Sequence, residues 1–164
     1  MFWVSWKHLP SNFKPKHNYM YKGLLDLHNV LRWAILILLL VALIQAFAKS
    51  AGLRKSSLWL LICAHTTFLV GLYQWFTGNL GLKLIQNAGF SVVMKDSASR
   101  FWAIEHITGM LIAIILITIA RGKAKVLNYK AAGWLYLIAL IIILATVPWP
   151  FREGIGRPWF PGMK

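Results

Sequence analysis

Apolar residues run almost unbroken through four stretches of the chain, 24–48, 58–76, 101–120 and 131–149, and polar residues collect between them. A bilayer core takes roughly 20 helical residues to cross, and each stretch is about that long. The pattern predicts an all-α, integral membrane four-helix bundle with antiparallel neighbours, and no transmembrane barrel. Segments 49–57, 77–100 and 121–130 join the spans, and a tail runs over 150–164. Within the long connection, 80–93 is apolar but interrupted by Lys83, Gln86 and Asn87. It is too short and too polar to span, and reads as an interfacial helix or a re-entrant piece.

Residues 1–22 form an N-terminal arm ahead of a transmembrane domain over 23–149. The arm holds Pro10, Pro15, His8 and His17 without a continuous apolar core, so it reads as mobile or interfacial rather than as a cleavable signal. Met20 is a second candidate start, with the first span then an uncleaved signal anchor.

Composition agrees with the pattern. The 164 residues are 59% hydrophobic and 13% charged, where a soluble domain carries about a quarter charged residues. Lys and Arg number 18 against 4 Asp and Glu. Such an excess suggests nucleic acid in a soluble chain, but here the basic residues flank spans, so the partners are lipid headgroups and nucleic acid is not expected. Four crossings put both termini and the long connection on one face, the terminal face, and the two short connections on the other, the short-loop face. The short-loop face holds Lys49, Arg54, Lys55, Arg121, Lys123, Lys125 and Lys130 and no acid, while Asp26, Asp96, Glu105 and Glu153 all belong to the terminal half. By density of Lys and Arg in short loops, the short-loop face is cytoplasmic and the termini are periplasmic, in a cell inner membrane.

Ionisable groups inside spans are costly and point to function. They are His28 and Arg32 in the first span, His65 in the second, and Glu105 with His106 in the third. Three histidines on three helices suit metal ligation, above all haem iron held between two facing helices. His106 shares a helix face with Ala103, Gly109 and Ala113, which leave room for a flat ligand. Ala64, Thr67, Gly71, Gln74 and Gly78 form a small, polar ridge that suits helix packing, a docked partner or a homodimer. His65 falls well away from that ridge, and facing a cofactor or partner is favoured over facing lipid. Arg32, Arg100 and Arg152 can hold haem propionates at the outer face; Arg32 or Arg100 can equally pair with Glu105 or Asp26. Cys63 reads as a packing residue. No P-loop, Gly-x-Ser-x-Gly, His-Glu-x-x-His or dinucleotide fingerprint occurs.

The stretches YKGLLDLHNVLRW, AHTTFLVGLYQW, SRFWAIEHITGMLIA and VPWPFR resemble a family of small four-span inner-membrane proteins common in Bacteroidetes and labelled cytochrome b-like. The resemblance covers about residues 20–152 and implies His28, His65 and His106 as haem ligands, with Arg32, Arg100 and Glu105 around them. The resulting expectation is a b-type haem protein of the respiratory membrane. It passes electrons between quinol and a partner, with haem b between His106 and either His28 or His65 and the third histidine free for quinone, protons or a second metal. Two other readings stay open: a non-catalytic accessory or assembly subunit of a membrane complex, and a metal or proton pathway lined by His28, His65, His106 and Glu105.

Overall fold

The computed structural model describes residues 19–163. Most of the proposed arm, with His8 and His17, and Lys164 lie outside the described residues. Four long helices, each apolar enough to cross a membrane, form the bundle: α1 (Tyr19–Phe47), α2 (Leu53–Thr77), α6 (His106–Lys125) and α7 (Tyr129–Thr146). The long connection folds into three short helices, α3 (Leu82–Ala88), α4 (Phe90–Lys95) and α5 (Ser97–Arg100). None is long enough to span, as the interruptions by Lys83, Gln86 and Asn87 suggested.

The ends of the spans move from their sequence positions for identifiable reasons. α1 starts at Tyr19 rather than Leu24 and α2 at Leu53 rather than Leu58. Helical hydrogen bonding continues past the apolar stretch into the interface, where Lys22, Arg54 and Lys55 stay exposed. α7 stops at Thr146, short of Trp149, because Pro148 drives Val147 into an extended conformation (φ −69°, ψ 134°). At its start, Asn128 caps α7 by accepting from the Ala131 N–H at 3.2 Å.

α1 packs on α2, α2 on α6, α6 on α7, and α7 closes the ring on α1. Small residues line the seams: Ala42 and Ala46 on α1, Ala64 on α2, Gly109, Ala113, Ala120 and Ala124 on α6, Ala132, Gly133 and Ala139 on α7. In lipid, where no hydrophobic force drives helices together, such residues let backbones approach closely enough for dispersion to hold them. Leu39, Leu60, Ile117 and Tyr136 fill the centre and are fully enclosed. Large side chains such as Ile37, Ile44, Leu69, Ile115 and Ile141 point outward, as a lipid-facing surface requires.

Candidate functional site

α1 and α6 stand diagonally across the ring, and near the terminal face each sends a histidine to its centre. The His28 and His106 rings lie 6.4 Å apart, centroid to centroid, with their planes inclined at 63°. A five-residue π-turn, Phe101–Glu105, delivers His106 to that position, and the His106 N–H closes it by donating to the Phe101 carbonyl. Turns of this kind insert a residue into a helix and concentrate at functional sites.

Each ring is positioned by a neighbouring helix. His106 Nδ1 lies 2.8 Å from the Thr146 carbonyl oxygen at the end of α7. A carbonyl only accepts, so Nδ1 carries the hydrogen and the neutral ring keeps its free lone pair on Nε2. The rings of Phe101 (5.9 Å) and Trp102 (6.0 Å) flank the same imidazole. His28 rests on α2 at Gly71: a Cβ there would sit 3.0 Å from His28 Cε1. The ridge that includes Gly71 is therefore turned inward against α1, Gly78 meeting Tyr21 in the same way, and is not an external docking face.

Around this pair the polar groups are under-satisfied. His28 Nδ1, Asn29 Oδ1, Arg32 Nε and Gln74 Nε2 are enclosed without a hydrogen-bond partner. Such orphans are rare in folded proteins and mark places where water, an ion or a cofactor completes the site.

Comparison with protein-family models, curated proteins and solved structures gives no match for the chain. The site therefore has to be argued from its own geometry.

Arg32 does not meet Glu105. Its Nη2 donates to the carbonyls of Trp159 (2.8 Å) and Pro158 (3.3 Å), so the C-terminal tail crosses over the outer half of α1. Asn29 Nδ2 and Trp33 Nε1 donate to the same two carbonyls. Glu105 instead takes a 2.7 Å bond from Arg100 Nε, the one ion pair among the described residues, and both side chains are about two-fifths exposed. Arg152 Nη1 donates to Ala145 and Val147 at the end of α7, while its guanidinium lies over the Phe101 ring.

His65 lies away from this pair. It is exposed on α2 among Leu58, Ile62 and Leu69, on the outward face of the bundle. Its Nδ1 satisfies itself within the helix on the Leu61 carbonyl, 2.9 Å away. That local bond makes an imidazole tolerable on an outward face, which the sequence could not reveal. His65 and Glu105 thus stand apart from the His28–His106 pair, and a pathway lined by all four residues is not assembled.

Beside the site, a cavity of about 300 Å³ opens on the terminal face, lined by Leu80, Leu84, Ser99, Trp102, Ile155 and Arg157 among others. Trp102 forms its inner wall and is the link to the site, touching His106 as described. The Arg157 guanidinium lies 4.7 Å from the centre of the same indole.

Proposed function

We propose that this chain is a b-type haem protein of the inner membrane, its termini periplasmic, that carries electrons between a quinol and a respiratory partner. The observation that carries the reading is the His28–His106 pair. His28 and His106, 6.4 Å apart centre to centre, would hold a haem iron between their imidazoles.

The surrounding residues fit the group. His106 presents an unprotonated Nε2 because Thr146 fixes its tautomer, as second-shell partners of ligating histidines do. His28 lies against the Thr67 backbone of α2, and its enclosed Nδ1 makes no hydrogen bond of good geometry. A donor set of two imidazoles suits a macrocycle that brings four nitrogens of its own. Gly71 seats the His28 ring against α2, and Gly109 lets the Thr146 side chain approach α6 closely beside His106. Asn29, beside His28, and Arg32, one turn farther into the bundle, are the groups at hand for propionates.

When bound, the haem supplies one-electron exchange at a potential set by its ligands and their surroundings. Phe101 and Trp102 exclude water from the His106 side. The cavity walled by Trp102 is the opening through which a quinol head group approaches, with Ser99 and Arg157 as its hydrogen-bonding groups.

The test is a visible spectrum of purified protein, oxidised and dithionite-reduced. A Soret band and a sharp α band are expected, lost in His28→Ala and in His106→Ala and kept in His65→Ala. A well-folded, colourless protein that cannot be reconstituted with haem would overturn the proposal and leave the accessory-subunit reading. Loss of the bands in His65→Ala alone would overturn the choice of ligands.

A further inference from the structure

A second polar cluster lies at the opposite end of the bundle, on the short-loop face, and the haem reading makes no use of it. Arg121 on α6 donates from Nη1 to Ser57 Oγ on α2 at 3.2 Å. Ser57 is fully enclosed and donates in turn to the Arg54 carbonyl at 3.2 Å. Tyr136 on α7 is also fully enclosed. Its hydroxyl lies beside Ser57 and Arg121 yet makes no hydrogen bond of good geometry, and Arg121 Nε is likewise enclosed and unpartnered.

What the cluster lacks is an acceptor with negative charge. It brings together a guanidinium, which only donates, a neutral phenol, and one serine whose hydrogen is committed to the Arg54 carbonyl. No carboxylate of the chain is available, because all four acids lie in the terminal half. A buried water could answer the Tyr136 hydroxyl but would leave the guanidinium charge uncompensated. Arg121 sits four residues before the end of α6 at Lys125, about 6 Å of helical rise, which is the depth of lipid headgroups. Lys123 and Lys125 continue the positive charge toward the interface. Guanidinium recognises phosphate oxygens in a bidentate manner, and basic pockets between helices on this kind of face hold phospholipid headgroups.

We propose that Arg121, Ser57 and Tyr136 form a phosphate-binding site between α2, α6 and α7, in which Ser57 orients the guanidinium and Tyr136 supplies a second donor. At this depth the phosphate comes from an anionic phospholipid.

The test measures thermal unfolding of the full chain in detergent micelles. The additives are phosphatidylglycerol, an uncharged glycolipid, or inorganic phosphate against chloride at matched ionic strength. Phosphatidylglycerol is expected to raise the Tm and the glycolipid to leave it unchanged. Arg121→Gln should lose most of the rise, while Lys123→Gln, which removes an exposed charge two residues away, keeps it. An equal rise with inorganic phosphate, also lost in Arg121→Gln, supports the site and assigns it to free phosphate. Equal losses in the two variants mean diffuse surface charge and overturn the site, as does the absence of a rise with either phosphate source. If Arg121→Gln does not fold, Tyr136→Phe decides, since it keeps shape and charge: a reduced rise supports the site and an unchanged one overturns it.

Discussion

Arg100 and Glu105 are joined at 2.7 Å across five residues, the hydrogen-bonding step of the π-turn that separates them from α6. In a regular α-helix these positions diverge. The inserted residue stacks them, so the pair clamps the turn that sets the direction of His106. Arg100 Nη1 also holds the Met94 carbonyl at 2.9 Å and so ties α4 to the same point.

Both side chains are substantially exposed, so screening limits the pair to about 0.2–1 kcal/mol rather than the cost of a buried ion pair. Glu105→Gln and Arg100→Gln should each lower the Tm slightly and show coupling in a double-mutant cycle. Glu105→Gln and Arg32→Gln should be additive, because Arg32 bonds the tail. Coupling between Glu105 and Arg32 in thermal denaturation would contradict the arrangement.

Gly71 carries a sharper prediction. A Cβ at this position would sit 3.0 Å from His28 Cε1, tighter than an ordinary van der Waals contact, so Gly71→Ala must push the imidazole toward His106 or part α1 from α2. Overpacking of this kind costs about 1–3 kcal/mol. The expected result is a lower Tm together with altered or lost haem absorption. An unchanged spectrum would show that His28 does not depend on this seat.

The four spans were legible because each satisfies a length and composition rule that the bilayer imposes. The site was legible only in part. His28 and His106 stand out because charge-capable groups are rare in spans, and the sequence ranks His65 beside them for the same reason. What separates the three is partners, and two of the deciding partners are backbone carbonyls, Thr146 for His106 and Leu61 for His65. Every residue has a carbonyl, so no side-chain pattern announces which one will accept. Glu105 pairs with Arg100, one of the two partners its position in the sequence offered, because the π-turn before His106 stacks residues five apart. For Arg32 the sequence offers a propionate or an acid, whereas two tail carbonyls more than 120 residues away in sequence serve it.

Asp96 gives a pH-dependent prediction outside the membrane. It caps α5, its carboxylate accepting from the Ser99 N–H at 2.8 Å. The Ser99 hydrogen bonds, with a smaller contribution from the Arg100 charge, hold its pKa below the usual carboxylate value. A depressed folded-state pKa means that the stabilisation is fully present above the unfolded-state value of about 4 and is lost as pH falls through the folded-state pKa. Asp96→Ala should therefore lower the Tm by a constant amount from neutral pH down to about 4. Below that the gap to wild type should close. A gap that persists through acid would mean that the ionised cap is not its source.

The tail offers the last test, because it packs on α1 at Asn29, Arg32 and Trp33, just beyond His28 along the helix. Trp33 Nε1 donates to the Trp159 carbonyl at 2.9 Å, and the Trp33 ring stacks on Phe160 at 5.6 Å and lies 5.9 Å from Trp159. Arg32 adds its charged donor to the same carbonyl. A neutral hydrogen bond contributes about 0.5–1.5 kcal/mol and one to a charged group about 1.5–3 kcal/mol. Trp33→Phe keeps the stacking and removes one bond, so it should cost roughly 1 kcal/mol, whereas Arg32→Met should cost more because it removes the charged donor to both tail carbonyls. Limited proteolysis with chymotrypsin distinguishes a held tail from a loosely packed one: cleavage after Trp159 should be slow in wild type and accelerate in Arg32→Met well before global unfolding. Equal cleavage rates in the two proteins would mean that Arg32 does not hold the tail.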